Sequence, residues 1–372
     1  MKMQFVNEDE APLATGTGLV ALDVVLSDDQ PVEPRYWAGG TCGNVLVALS
    51  YLGWRSAPIV RLREGAAANG LLADLKRWGV MTSFVTLSED GSTPVIVERI
   101  GRARGGGEVF HSFSWRCPNC GARLPGYKPV LAAEAEQLVL RLGSPRVFFF
   151  DRLSRGAIVL ARVAAERGAA IVFEPSSVGD PILFREAWEL ADVVKYSHER
   201  LSELPAGLEG RKGPRVLIET LGSAGLRYRT RLPGCKTRTW QLLKSIPATL
   251  VRDTAGAGDW CTAGIVYRLF PPGASALETA TDASVRDAIR YGQALAAWTC
   301  SFEGARGGMY EIERDLFNEQ VAALLGARSE GKLDNSPRQL AAKNAMTCLC
   351  PSCEQPGGVA ARPARAGARM KG

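Results

Sequence analysis

The sequence predicts an α/β protein: a doubly wound, mostly parallel sheet with a small β lid. Short apolar runs of the parallel-strand kind alternate with helical patterns along most of the chain. Two segments, Thr93 to Arg99 and Glu108 to Trp115, break that rhythm and look like antiparallel strands around Arg104-Gly105-Gly106-Gly107. A glycine-rich turn, Asp253-Thr254-Ala255-Gly256-Ala257-Gly258-Asp259, runs straight into the apolar helical stretch Trp260 to Val266.

In order along the chain, Leu13 to Leu26 reads as one strand opened by the tight Gly16-Thr17-Gly18. Those glycines precede a strand-like run rather than open a helix, which rules out a dinucleotide fingerprint. Gly39-Gly40 precedes a helix from about Asn44 to Leu52; Ala57 to Leu62 is strand-like, Ala66 to Trp78 helical and Met81 to Leu87 strand-like. Arg146 to Phe150, Ala170 to Phe173, Asp192 to Tyr196 and Arg215 to Thr220 are further apolar strand candidates. Helical patterns at Ser154 to Arg167 and Leu183 to Leu190 separate them, and the last helices fall at Ala283 to Ser301 and Glu311 to Leu325. The expected organisation is one large domain over 1–330, with a lid and cysteine-knuckle insertion at about 91–128. A polar, partly disordered tail over 331–372 holds a second cysteine knuckle.

Composition bounds the function. The 372 residues are 46% hydrophobic and 23% charged, enough for a large core. The net charge of +6 suits phosphorylated small molecules, and part of it comes from the basic end after Ala360. No basic helix or basic–aromatic motif appears, so nucleic acid ranks last among partners. No apolar run is long enough to span a membrane, and the acidic N-terminus lacks a signal-peptide core, so the expected location is cytoplasmic.

The glycine-rich turn carries the chemistry. Small residues let the backbone approach a ligand, and amides at the start of the following helix point at it with the positive end of the dipole behind them. That arrangement suits a phosphate. A carboxylate at Asp259 is unfavourable beside an anion unless it has a task, such as taking the proton of a hydroxyl that attacks a phosphoryl group. Taken singly, Gly39-Gly40 is equally a tight connection, Asp23 a strand-end carboxylate, and Thr220 to Gly225 a hairpin turn.

Together these pieces resemble the ribokinase-type (PfkB) family of carbohydrate and nucleoside kinases. Asp253 to Asp259 resembles the family's C-terminal signature; Gly39-Gly40-Thr41-Cys42-Gly43-Asn44-Val45 resembles its N-terminal Gly-Gly segment. Thr220-Leu221-Gly222-Ser223-Ala224-Gly225 is similar to its nucleotide-side turn. The resemblance covers roughly residues 13 to 325 and implies a ribokinase-like fold. It implies Asp259 as catalytic base, Gly256, Ala257 and Gly258 as anion hole, and Asp23, Gly39, Gly40 and Asn44 on the substrate side. Thr220, Gly222, Gly225, Ser197, Asp253 and Thr254 fall on the nucleotide side. ATP with Mg2+ is the implied cofactor pair, and a sugar or nucleoside the implied substrate. Asp253, with the loop at Gly304 and Ala305, matches the region where many members bind a monovalent cation such as K+. Lid strands in the family often form dimer contacts, so a homodimer through the lid is also implied.

The match is incomplete. In Lys195-Tyr196-Ser197-His198-Glu199-Arg200, Ser197 stands where the family often has Asn and Arg200 where it often has Glu, and Phe173-Glu174-Pro175-Ser176-Ser177 differs from the sugar kinases' Asp-x-Asn-x-Arg. A non-catalytic, kinase-like metabolite sensor or a zinc-dependent interaction protein is therefore the alternative. Only His111 and His198 are present, which argues against a histidine-based triad or a His-rich metal centre; His111 falls in the lid, where it could reach substrate but reads first as a surface residue.

Cys117-Pro118-Asn119-Cys120 and Cys350-Pro351-Ser352-Cys353 are two CPxC turns among nine cysteines. One alone could be a redox pair. Two of the same form supply the four thiolates of a closed, structural zinc site, which would tie the lid insertion to the tail. Cys348 is a spare ligand, and Cys42, Cys235, Cys261 and Cys300 read as isolated core or loop residues.

Overall fold

The computed structural model describes residues 11–27, 33–102, 109–205, 208, 212–326 and 349–354. Its strands are β1 (Leu13–Thr17), β2 (Ala21–Ser27), β3 (Arg35–Gly39), β4 (Arg55–Pro58), β5 (Val60–Leu62), β6 (Val85–Leu87) and β7 (Val95–Arg102). They continue with β8 (Val109–Ser114), β9 (Val147–Phe150), β10 (Ala170–Phe173), β11 (Val193–Ser197), β12 (Val216–Thr220), β13 (Leu226–Thr230) and β14 (Gln241–Leu243). The main sheet runs β14-β13-β12-β11-β10-β9-β1-β4. It is parallel from β4 through β12, and β13 and β14 extend one edge antiparallel.

Helices cover both faces, as the alternating pattern requires. In β9, Val147 and Phe149 enter one hydrophobic cluster while Phe148 and Phe150 enter the other, the two-residue period of a strand buried on both sides. One layer holds helices Thr41–Tyr51, Ala257–Leu269 and Asp282–Thr299, and the other holds Arg155–Glu166 and Pro181–Leu190. Caps set the starts. The Ser154 hydroxyl accepts from Ala157 N at 3.0 Å, and Asp180 accepts from Ile182 N and Leu183 N just ahead of Pro181. The helix that begins at the glycine-rich turn lies close against Asp282–Thr299 because Gly264 faces Gly292; a Cβ on Gly264 would come within 2.7 Å of the Gly292 backbone.

The lid is a second sheet, ordered β3-β2-β7-β8, with β2 parallel to β7 and antiparallel pairings at both edges. The expected antiparallel pair is β7 with β8; Arg104 to Gly107 between them lie outside the described residues, as does the tail apart from 349–354. Two expectations need correction. Leu13 to Leu26 is not one strand: the chain leaves the main sheet after Thr17 and enters the lid sheet at Ala21. Gly18 makes the switch with φ +142°, in a place where any Cβ would collide with the Asp151 carboxylate. Asp23 therefore sits within a lid strand rather than late in the first core strand. Ala57 to Leu62 likewise divides into β4 and β5, which belong to different sheets. Among the described residues no helix is long and apolar enough to cross a membrane.

Candidate active site

The glycine-rich turn lies where the main sheet meets the lid. Gly256 caps helix Ala257–Leu269 with φ +72°, and a Cβ there would lie 2.6 Å from Ala305, so the turn admits only glycine without displacing that loop. The helix N-terminus, with Gly258 exposed at it, is thereby free to receive an anion.

Asp259 stands in the first turn of this helix. Asn44 Nδ2 donates to its Oδ2 at 2.7 Å, which joins the N-termini of helices Thr41–Tyr51 and Ala257–Leu269 at one point. The residue is half-buried, reachable from the cleft but densely surrounded by protein. Burial pushes its pKa up to about 7, with the negative Glu174 adding to the rise and the Asn44 hydrogen bond and Lys195 opposing it. Glu174 follows β10 directly. Its Oε1 accepts from buried Lys195 Nζ at 2.6 Å and its Oε2 from the Thr262 hydroxyl at 2.6 Å.

The lid supplies the other wall. Gly39 closes β3, and any Cβ there would collide with the Asp23 carboxylate; Gly40 caps the next helix with φ +75° and gives its amide to Asp23. Burial raises Asp23 to about 7, with Arg306 and the Gly40 amide opposing. Asp23 Oδ1 and Asn44 Oδ1 are sealed from solvent and have no protein partner. Buried polar atoms left in this way are costly unless something bonds them. Arg306 props the segment from behind: it donates to Ala38 O and, at 2.8 Å, to Asp74, which also accepts from Ala38 N and the Tyr310 hydroxyl.

Asp253 is buried beneath the turn, with its oxygens engaged by Ala255 N at 3.0 Å, Gly304 N at 2.8 Å and His111 Nδ1 at 3.0 Å. Burial works against this carboxylate, yet the bonds from His111, Ala255, Glu98 and Gly304 hold its pKa below the ordinary value. Glu98 on β7 is 1% exposed; burial and the Asp253 charge raise it to about 10, so it stays protonated at neutral pH and donates to Asp253. Both oxygens of Asp253 thus already carry protein donors. This carboxylate does not fit a K+ ligand, and no step is assigned to a monovalent cation.

At the far end, Ser197 pairs with Thr220 across β11 and β12. The next turn places Gly222 at φ +58° and Gly225 at φ +106°, the latter tight against Ser245 N. His198 N donates to Thr220 O, and its Nδ1 lies 2.7 Å from Glu219 Oε1. Glu174 and the exposed Glu199 present hard oxygen donors at two strand ends.

The sequence-predicted residues therefore gather in three groups. Asp259, Gly256, Ala257, Gly258, Asn44, Gly39, Gly40 and Asp23 line the cleft; Ser197, Thr220, Gly222 and Gly225 lie at the ends of β11 and β12; Asp253 and Thr254 face the lid histidine. The four cysteines meet behind the lid, all sulfurs within 4.8 Å of one another. Sequence reasoning missed Glu98, Glu174 paired with Lys195, and Arg306. It also read His111 as a surface residue. An acidic residue inside an otherwise apolar lid strand was the available signal for Glu98.

Residues 178–312 match the sequence profile of the pfkB family carbohydrate kinases. Mouse (Mus musculus) ketohexokinase is 25% identical over 320 residues, which take in 78% of this chain and 96% of that protein. Fructokinase-2 of Solanum habrochaites is 24% identical over 296 residues, 72% of this chain and 82% of that protein. Among solved structures, the ATP-bound fructokinase of Xylella fastidiosa superposes with TM-score 0.60 at 20% identity, covering 84% of this chain and 98% of that one. The ribokinase of Giardia lamblia superposes with TM-score 0.62 at 15% identity, covering 85% and 99%. These superpositions establish the ribokinase-like fold.

Proposed function

We propose that the chain is a carbohydrate kinase of the PfkB type that transfers the γ-phosphate of MgATP to a hydroxyl of a small sugar. The acceptor hydroxyl gives its proton to Asp259 while its oxygen bonds to the γ-phosphorus. The bond from that phosphorus to the bridging oxygen of ADP breaks, and ADP leaves. The amides of Gly256, Ala257 and Gly258 hold the transferring group. Sugar hydroxyls satisfy Asp23 Oδ1 and Asn44 Oδ1. ATP lies along Thr220, Gly222, Gly225 and Ser197. The exposed Glu199 suits Mg2+, which would supply neutralisation of the triphosphate charge, while Glu174 keeps its bonds to Lys195 and Thr262.

One observation carries this reading: Asp259, held by Asn44 at 2.7 Å, stands in the first turn of a glycine-capped helix, with Asp23 Oδ1 and Asn44 Oδ1 left as buried acceptors without a protein partner. Ketohexoses are the first acceptors to test, since two of the relatives are a ketohexokinase and a fructokinase. A nucleoside or other polyol is the finer alternative. The thiol-rich CPxC turns suit a cytoplasmic location, and the metal we assign to them is structural zinc. The exposed Phe110 and Phe113 on the edge strand β8, with the exposed Trp115 just after it, support a homodimer through the lid.

An ATP-consumption screen across sugars and nucleosides tests the assignment. Asp259→Asn should lower kcat by about 10³-fold with ATP binding retained. Near-normal turnover in that variant rules out the base. Wild-type protein that binds a sugar but never consumes ATP favours the sensor reading, to which the departures at Ser197 and Arg200 point.

A further inference from the structure

Cys117 and Cys120 stand 236 and 230 residues from their nearest thiol partners, yet Cys117 Sγ lies 3.9 Å from Cys353 Sγ and Cys120 Sγ 3.5 Å from Cys350 Sγ. Zn–S bonds of about 2.3 Å in a tetrahedron put neighbouring sulfurs about 3.8 Å apart, so the observed separations are those of a tetrathiolate cage. Each thiol pair is turned by its own backbone. Gly121 N donates to Cys117 O at 2.9 Å and Cys117 N to Ala122 O at 2.8 Å, with Gly121 at φ +73°; in the second turn Cys353 N donates to Cys350 O at 2.8 Å. Cys117 and Cys350 are buried. Four soft donors with no histidine or carboxylate among them select zinc in a closed site without a water position.

The cage has a defined backing. Its cysteines pack with Val24 of β2 and with Val95 and Val97 of β7. Strand residues alternate between faces, so the opposite face of the same two strands presents Asp23 and Glu98 to the cleft. We propose that the four thiolates bind one Zn2+ per chain, and that this ion staples the segment 349–354 to the back of the lid sheet. β2 and β7, and with them Asp23 and Glu98, are thereby held in place over the acceptor. The metal half stands without the kinase reading; its kinetic consequence rests on that reading.

The test uses the full chain purified without chelators. Elemental analysis should find about one zinc per chain, and Cys117→Ser and Cys353→Ser should each lose it while Cys42→Ser keeps it. Alkylation of the folded wild type, read by peptide mass spectrometry, needs no variant: the four thiols should be protected until a chelator is added. Zinc removal should speed hydrogen exchange in β7 and raise the KM for the acceptor several-fold, with the KM for ATP unchanged. Absence of zinc, an iron chromophore in its place, full zinc retention in both serine variants, or free alkylation of the zinc-loaded thiols overturns the site. Zinc loss with β7 exchange unmoved overturns the staple. Wild type that turns over no acceptor overturns the kinase reading instead, and the exchange rates of β7 still decide the staple.

Discussion

The two walls of the cleft are built by different means. The wall we assign to the anion is main chain: Gly256 at φ +72° and the start of helix Ala257–Leu269, with Lys195 and Glu174 behind. The wall we assign to the acceptor is side chain: Asn44 from a helix, with Asp23 from β2, Glu98 from β7 and His111 from β8 delivered by the lid sheet. A wall of amides has its charge and geometry fixed by local backbone and tolerates little change. A wall of side chains can exchange members and so decides which acceptor fits.

The largest contrast should come from glycine. Gly256→Ala meets both a left-handed backbone, costing about 1–2 kcal/mol, and the Ala305 backbone 2.6 Å away. Displacing the anion hole by about 1 Å should lower kcat/KM by roughly 10²-fold. Gly222→Ala at φ +58° meets only the Glu199 side chain, 3.7 Å off. Steady-state kinetics on both variants should show a large loss at 256 and only a modest rise in the KM for ATP at 222; equal losses would erase the distinction.

Legibility in the sequence follows the same division. The turn at Gly256, the segment at Gly39-Gly40 and the turn at Thr220 are each written in consecutive residues, because a backbone site needs small residues at fixed spacing. The parallel strands of the main sheet were legible as apolar runs for a similar reason. The short, partly polar strands β3, β13 and β14 gave no such signal. Glu98 and His111 are on adjacent antiparallel strands and meet Asp253 only where the lid packs against the turn, so no local pattern marks them. Glu174, just past the end of β10, and Lys195, on the neighbouring strand β11, are 21 residues apart in sequence, and only sheet order brings them together. The CPxC turns were legible singly. That their four sulfurs meet within 4.8 Å follows only from tertiary structure.

A second, smaller effect separates charge from position on the anion wall. Asp259 must be deprotonated to accept a proton, so kcat/KM should fall on the acid side of a pKa near 7, about tenfold per pH unit below it. Glu174→Gln keeps an oxygen for Lys195 but removes the negative charge that helps raise Asp259. The acid limb should therefore move to lower pH. Lys195→Met removes a positive charge that opposes the rise, so there the limb should move to higher pH. The pair should also differ in stability, since Lys195→Met leaves Glu174 charged without its partner, a loss of about 3–5 kcal/mol in a fully buried case and less here. Limbs that stay put in both variants would mean that the base titrates elsewhere.

The smallest effect belongs to the acceptor wall and asks what His111 replaces. Its Nδ1 lies 3.0 Å from Asp253 Oδ1 and its side chain is 27% exposed, so the bond contributes only about 1 kcal/mol. His111→Ala should raise the acceptor KM a few-fold with kcat nearly intact. His111→Gln, which can still donate to the carboxylate, should restore most of it. The wild-type enzyme should be indifferent to K+, because protein donors already fill Asp253, whereas the alanine variant exposes an oxygen that a monovalent cation can take. Kinetics with K+ exchanged for a bulky organic cation read this directly. Stimulation by K+ in the wild type, unchanged in His111→Ala, would show that the histidine and the ion do not compete for the same carboxylate.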